Sequence, residues 1–146
     1  MKKIIFLLSV FFLGCSSDSK YLINEGVVNI DYLFNSPNTE WFKKNYDSYN
    51  LDTKTLNYDF SNLDEFQIEI YMNTKCHDSE REVPRLIKIL NTLNFSEDNL
   101  KIILLDSNKK SSDGYENGKD ITNTPTIIFL SESIAVSYTH LRAHET

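Results

Sequence analysis

Cys76 is the residue of this chain whose type and position best suit chemistry. It lies in the segment Thr74–Ser79, after residues with strand periodicity and before residues with helical periodicity. A thiol at the start of a helix is close to the positive end of the helix dipole, which stabilises a thiolate. Lys75 also favours the thiolate, whereas Asp78 opposes it. The position therefore predicts a nucleophilic cysteine with a lowered pKa.

Few other side chains could assist this thiol or hold a metal ion. The chain has three histidines, and His140 and His144 lie in a C-terminal tail of different character, which leaves His77. A histidine-based metal site or a Cys–His–Asp triad therefore has too few members, and we expect no metal and no cofactor. Residues 15–135 hold 12 basic and 20 acidic side chains, a formal charge of −8. So acidic a segment is a poor candidate for binding nucleic acid.

The N-terminus has the features of an export signal. Two lysines precede the apolar stretch Ile4–Leu13, which is too short to cross a bilayer as a helix. The sequence Phe12–Cys15 resembles the lipobox of bacterial lipoproteins, in which cleavage leaves the cysteine as the lipidated N-terminus. We expect a signal peptide at residues 1–14, a lipid on Cys15, and a protein anchored in the cell envelope that faces the periplasm or the cell exterior. An ordinary secretory signal cut nearby is the alternative.

The C-terminal tail differs in style from the rest of the chain. Residues 136–146 show no apolar period, and they match the translation of a transposase-based sequencing adapter. The first two adapter bases complete the preceding codon and permit only serine, proline, threonine or alanine there, and Ala135 meets that condition. We therefore expect residues 136–146 to derive from the adapter and the native protein to diverge at or before Ala135.

Hydrophobic periodicity predicts three strands and one long helix after residue 65. Alternating apolar and polar residues predict a strand over Phe66–Asn73, and helical spacing predicts a helix over Ser79–Asn94. Leu100–Leu105 reads as a strand buried on both faces, Asp106–Asp120 as a loop, and Thr126–Leu130 as a third strand. This order predicts an α/β fold in which the first two of these strands are parallel.

The region before residue 66 is predicted to add an edge strand and two helices. A short apolar run that includes Val27 and Val28 predicts the edge strand. Ser36, followed by Pro37, suits a helix start, and aromatic residues at helical spacing follow it. A second short helix is predicted over Thr53–Leu63. These aromatic stripes indicate core packing and not a ligand site.

The residues around Cys76 resemble those of the thioredoxin superfamily. The segment Cys76–Ser79 matches the Cys-x-x-Cys loop of that family with serine at the second thiol position. Pro84 matches the proline that bends the active-site helix, and Thr124–Thr126 matches the cis-proline signature ahead of a strand. The resemblance covers Phe66–Leu130 and, more loosely, Phe34–Leu63. It implies a thioredoxin-like fold with a central mixed sheet flanked by helices.

The resemblance also implies a domain organisation, and the sequence departs from the family pattern at several positions. A lipidated tether and N-terminal segment would occupy residues 15–33, and a truncated thioredoxin-like domain residues 34–135. The C-terminal strand and helix of the family would be missing, because the tail stands in their place. Lys75 occupies a position that is commonly tryptophan, and Ile70 one where many members bury a proton-shuttling acid.

The resemblance assigns roles to four residues. Cys76 would attack a disulfide, Ser79 would stabilise its thiolate, and Thr124 and Pro125 would dock the substrate backbone. With serine at position 79, a mixed disulfide can form but needs an outside thiol to be resolved. The implied partners are protein or small-molecule thiols and disulfides, for a monomeric chain attached to the membrane by its N-terminal lipid.

Four other interpretations stay open from the sequence. The domain could be a non-catalytic binding module of the same fold, with Cys76 inert. Ser79 and Glu82 could form a capping box at the helix start, and His77 could be a solvated residue with no role as a base. Peroxide reduction through a sulfenic acid lacks the arginine and threonine surround expected of it.

Overall fold

Five strands and three α-helices make up the described part of the chain, which in this computed structural model comprises residues 25–52, 54–132 and 134–140. They are β1 (Gly26–Val28), α1 (Ile30–Asn35), α2 (Trp41–Ser48), β2 (Phe66–Met72), α3 (His77–Thr92), β3 (Leu100–Leu104), β4 (Thr126–Ser131) and β5 (Ile134–His140). The α/β class predicted from the sequence is confirmed. The predicted signal peptide at residues 1–14 and the lipid site Cys15 lie outside the described residues.

The strands form one mixed sheet in the order β1-β3-β2-β4-β5. β2 and β3 are parallel, as predicted, with Met72 opposite Leu104, and α3 connects them. β1 runs antiparallel to β3 and places Gly26 opposite the same Leu104. β4 pairs antiparallel with β2, and β5 with β4. β1 therefore begins at the end of the sheet where β2 ends and the loop to Cys76 begins.

All three helices pack on one face of the sheet. Side chains alternate between the faces along a strand, so the even-numbered residues of β2 share a face. They form one buried cluster with residues of all three helices: Leu33, Phe42, Ile68, Ile70, Met72, Val83, Ile87 and Leu90. Residues 26–33, predicted to belong to the N-terminal segment and not to the domain, thus form β1 and most of α1 of the same domain.

Irregular chain covers the opposite face. A second buried cluster there comprises Tyr71, Ile103, Leu105 and Ile128, and side chains of the 106–125 segment pack against it. Lys119 of that segment donates hydrogen bonds to the Glu69 carboxylate and to the Tyr71 hydroxyl. The same hydroxyl lies 3.1 Å from the carbonyl oxygen of Tyr115. These polar contacts fasten the segment to β2.

The region before β2 departs from its prediction in two places. α1 has no counterpart among the predicted elements; Asn29 caps it, with its side-chain oxygen accepting from the Tyr32 amide at 2.9 Å. Ser36 caps a 3-10 turn and not an α-helix, and α2 begins only at Trp41.

The helix predicted over Thr53–Leu63 is wrong. The described residues of that stretch contain only 3-10 turns, at Thr55–Asn57 and at the start of Leu63–Glu65. Between them the Asp59 carboxylate accepts from the Ser61 amide at 2.9 Å. Such a side-chain bond to the backbone stabilises a turn and competes with helix formation.

Pro84 lies inside α3 and is buried. Proline has no N–H, so the carbonyl of Glu80, four residues earlier, lacks its α-helical donor. The side-chain amide of Asn45 in α2 donates to that carbonyl at 3.0 Å. α2 therefore supplies a hydrogen bond that the proline removes, and this bond helps to fix α2 against α3.

A strand follows β4, so the expectation that a C-terminal strand is missing is wrong. β5 includes residues 136–140 of the tail, and Ile128 of β4 lies opposite Tyr138. Valine, tyrosine and threonine favour strands whatever their origin, so this pairing does not bear on where the tail comes from. No helix follows β5 within the described residues, and none of the helices described is both long and apolar enough to cross a membrane.

Candidate functional site

Cys76 lies at the N-terminal boundary of α3. It is the N-cap residue, with extended backbone angles of φ −92° and ψ 121°, and its carbonyl accepts from the Glu80 amide at 2.9 Å. The side chain is partly buried, and it is the free cysteine of the residues that the structure describes. The amides of the first helical turn face this end, and those of Asp78 and Ser79 donate to the sulfur, so its surroundings favour an anion.

Asn73 shapes the loop between β2 and Cys76. Its side-chain oxygen accepts from the Lys75 amide at 2.8 Å, and its carbonyl accepts from the Cys76 amide at 3.1 Å. Its side-chain amide donates to the Leu105 carbonyl at 2.7 Å, at the end of β3. The sequence prediction missed this residue, although an asparagine between a strand and a helix is a turn signal. Asn73 therefore both closes the turn that presents the thiol and ties it to the sheet.

Trp41 supports the same loop from α2. Its indole N–H donates to the Thr74 carbonyl at 3.3 Å, and its ring packs against the main core cluster. The sequence analysis assigns Trp41 to the core, and no signal in the sequence shows that it reaches a loop 33 positions away. The loop thus has lysine at position 75, where the resembled family commonly has tryptophan, but the indole of Trp41 in α2 contacts the loop backbone.

Ser79 is fully buried behind the thiol. Its hydroxyl accepts from the Asn73 amide at 3.4 Å, which links the end of β2 to the first turn of α3. The capping-box interpretation is wrong, because α3 begins at His77 and Ser79 is already the third helical residue. Glu82 accepts hydrogen bonds from Arg81 and Arg85 instead.

Thr124 lies directly against Cys76, and Pro125 follows it, as the resemblance implies. The peptide bond between them is cis, and the Cys76 sulfur is 3.1 Å from the Thr124 carbonyl oxygen. The hydroxyl of the buried Thr126 donates to the Asn123 carbonyl at 2.7 Å and holds the segment just before β4. The structure thus brings all four predicted residues together: Cys76, Ser79, Thr124 and Pro125.

The surroundings lower the pKa of the Cys76 thiol. Partial burial acts in the opposite direction and raises the pKa, because it disfavours the charged form. Hydrogen bonds outweigh it: one from the Thr124 side chain, others from the amide and hydroxyl of Ser79, and one from the Asp78 amide. A lowered pKa increases the thiolate fraction at neutral pH, and the thiolate is the nucleophile.

The His77 side chain is 99% exposed, and its Nδ1 lies 3.8 Å from the Glu80 carboxylate. This position agrees with the interpretation of His77 as a solvated residue. Neither its exposure nor its partner suits a general base for Cys76.

A cleft of about 570 Å³ opens beside Cys76. Its wall is formed by the loop after β2, the turn after β3 and the segment before β4, and it includes Glu25 immediately before β1. The lining residues are Glu25, Asn73, Thr74, Lys75, Cys76, Leu105, Asp106, Ser107, Lys109 and Thr124. The cleft is polar and mixed in charge, and it gives a partner direct access to the sulfur.

Within the described residues, no group of three or more histidine, cysteine, aspartate or glutamate side chains is arranged to hold a metal ion. Comparison of the chain with protein-family models, with curated protein sequences and with solved structures found no match in any of the three.

Proposed function

We propose that this protein is an exported, thioredoxin-like thiol–disulfide exchange protein that works through the single thiol of Cys76. The observation that carries the proposal is the position of the Cys76 sulfur, at the N-terminus of α3 and 3.1 Å from the carbonyl oxygen of Thr124, next to a cis-proline. The strand order and the parallel β2–α3–β3 unit support it. Following the lipobox resemblance, we further propose that Cys15 anchors the protein to a membrane of the cell envelope.

The reaction is an exchange of disulfides. The Cys76 thiolate attacks one sulfur of a partner disulfide, the partner S–S bond breaks, and a Cys76–partner disulfide forms. The second partner sulfur leaves as a thiolate and takes a proton from water. Ser79, Thr124 and the Asp78 amide stabilise the charge on Cys76 before attack, and the cleft admits the partner.

Ser79 determines how the cycle ends. A serine hydroxyl cannot attack the mixed disulfide as a second cysteine would, so the intermediate persists until an outside thiol reduces it. The proposed protein therefore exchanges a single sulfur with its partner and depends on a second, external thiol. A small thiol or another protein could supply it.

A direct test uses the full chain with Cys15 replaced by serine, so that Cys76 is its one thiol, and oxidised glutathione as the probe disulfide. We expect this protein to gain one glutathione on Cys76 by intact-mass spectrometry, and its Cys76→Ser variant to gain none. Reaction of Cys76 no faster than that of the same cysteine in urea-unfolded protein would sink the redox proposal.

The competing candidate is a non-catalytic binding module that uses the same cleft. The volume of the cleft and its direct opening beside Cys76 are what favour this candidate. Partner capture distinguishes the two: a binding module retains its partner when Cys76 is replaced by serine, whereas a mixed disulfide is lost. Release of the captured partner by a reducing agent supports the exchange reaction.

A further inference from the structure

We infer that Cys76 attacks disulfides held at the membrane surface that anchors the protein, because the N-terminal tether enters the domain at the cleft that contains the thiol. This inference rests on the proposed function and on the proposed lipid at Cys15. It names the partner by its location: a disulfide on a membrane-bound molecule.

The first observation is the position of Glu25. This residue lines the same cleft as Cys76, and Gly26 begins β1 directly after it. Gly26 lies opposite Leu104, and Leu104 lies opposite Met72, so β1 starts at the end of the sheet where β2 and β3 finish. The start of the domain lies at this end because β1 runs antiparallel to β3. A parallel β1 would have started at the other end of the sheet.

The second observation is the length of the chain between anchor and cleft. Glu25 comes ten positions after Cys15, and ten residues of extended chain span at most roughly 35 Å. A lipid on Cys15 therefore keeps the rim of the cleft within that distance of the membrane surface. Such restriction raises the effective concentration of the thiol toward groups on the same surface.

The third observation is the charge at the rim. Lys75 and Lys109 line the cleft, and no ion pair is found for either of them in the described residues. The Asp106 carboxylate accepts hydrogen bonds from the amides of its own turn, at Asn108 and Lys110. Glu25 and Asp106 offset the two lysines in formal charge. The rim is therefore electroneutral in a protein whose net charge is −6, so it repels anionic lipid headgroups less than the rest of the surface does.

The opposite end of the sheet supplies a matched control. Asp98 is exposed in the 3-10 turn that precedes β3, so it lies at the far end of the strand whose other end reaches the cleft. A strand rises about 3.3 Å per residue, so the two ends of the sheet are roughly 20 Å apart. A thiol placed at position 98 in a Cys76→Ser background has the same lipid anchor as Cys76 but lies at the opposite end of the sheet from the cleft.

The test measures two rates for each thiol with lipidated full-length protein on vesicles of phosphatidylglycerol and phosphatidylethanolamine. One probe is a pyridyl disulfide coupled to the phosphatidylethanolamine headgroup, and the other is a soluble pyridyl disulfide. The thiolate displaces pyridine-2-thione in both cases, and the absorbance of that product reports the rate. For each thiol, the rate with the vesicle probe is divided by the rate with the soluble probe, which corrects for the different intrinsic reactivities of the two thiols.

We expect this ratio to be about fivefold higher for Cys76 than for Asp98→Cys in the Cys76→Ser background, because effective concentration falls steeply with separation. Insertion of thirty Gly/Ser residues after Lys20 should lower the Cys76 ratio about eightfold, since effective concentration falls roughly as the −3/2 power of tether length. Equal ratios for the two thiols, or no lipid on Cys15, would overturn the inference and leave the exchange chemistry standing. Failure of Cys76 to react with the soluble probe would overturn the proposed function itself.

Discussion

The sulfur of Cys76 and the carbonyl oxygen of Thr124 are 3.1 Å apart, although the two residues are separated by 48 positions in the chain. A neutral thiol can donate its proton to this oxygen, whereas a thiolate has no proton to donate and is repelled by it. The Thr124 side chain and the first turn of α3 provide the donors that the thiolate needs. The same few groups therefore serve both protonation states of the thiol.

The first prediction concerns the Thr124 hydroxyl. Thr124→Val keeps the shape and the carbonyl but removes the side-chain hydrogen bond to Cys76, so the pKa of the thiol should rise toward its ordinary value. The rate of iodoacetamide alkylation as a function of pH measures this directly. Thr122→Val is the control, since Thr122 is exposed two positions earlier. An unchanged alkylation midpoint in Thr124→Val contradicts the assignment.

The second prediction concerns the missing second thiol. Ser79→Cys places a cysteine three positions after Cys76, on the first turn of α3. We expect oxidised glutathione to leave an intramolecular 76–79 disulfide in this variant and a persistent mixed disulfide in wild-type protein. Mass spectrometry after acid quenching distinguishes the two products. Ser79→Ala should still accumulate the mixed disulfide; if it does not, Ser79 has a role beyond that of stabilising the thiolate.

The third prediction concerns Trp41. Trp41→Phe removes the hydrogen bond to the Thr74 carbonyl, and loss of one such bond costs about 1 kcal/mol of unfolding free energy. The Cys76 loop also loses a support, so alkylation of Cys76 should change as well. Tyr46→Phe is the control, because its hydroxyl accepts from the exposed side chain of Asn91, away from the Cys76 loop. If both variants alter Cys76 reactivity equally, the indole has no particular role at the loop.

The fourth prediction tests whether Asn45 compensates for Pro84. Asn45→Ala should destabilise the wild-type protein by about 1–2 kcal/mol, because the Glu80 carbonyl then has no replacement donor. In a Pro84→Ala background the new amide can bond the same carbonyl, so Asn45→Ala should cost less. Urea unfolding of the four proteins gives the coupling energy. Additive effects would show that the two residues act independently.

The fifth prediction concerns acid stability. Glu116 is buried, and the hydrogen bond from the Ser111 side chain is the main reason that its pKa falls from 4.5 to about 2. A group with a lowered pKa contributes stability above its unfolded pKa of about 4.5, and that contribution is lost as the pH falls toward 2. Glu116→Gln should therefore be less stable than wild type at pH 6, with the difference shrinking toward pH 2.

Thermal unfolding at a series of pH values measures this effect. Glu97→Gln, at an exposed turn position, serves as the control, and its unfolding temperature should stay close to that of wild type at every pH. A Glu116→Gln curve that runs parallel to the wild-type curve from pH 6 to pH 2 contradicts the prediction.

The central elements of the fold could be predicted from the sequence because their periodicity is strong. β2, β3 and β4 agree with prediction to within one residue at each end, and α3 to within two. Strict alternation over β2 and helical spacing over the sixteen residues of α3 leave little choice of structure. The short α1 and the turns around Asp59 could not be predicted as well, since single hydrogen bonds such as that from the Ser61 amide decide them.

The candidate site was predictable only in part for a similar reason. The resemblance of short segments to the thioredoxin superfamily predicts Cys76, Ser79, Thr124 and Pro125 as site residues, and the structure places them together. Asn73 and Trp41 were missed because they act on the loop backbone and not on the thiol. Backbone contacts between distant segments leave no pattern in one sequence.

The uneven covering of the sheet has a consequence for motion. Helices shield one face, whereas the other is closed by the irregular 106–125 segment, which ends at the cis-proline beside the thiol. Irregular segments open at lower free energy than packed helices, so we expect local opening of the 106–125 segment before that of the helical face. Each opening would carry Thr124 away from Cys76 and remove its side-chain hydrogen bond. We therefore expect hydrogen exchange in residues 111–124 and the reactivity of Cys76 to respond together to temperature.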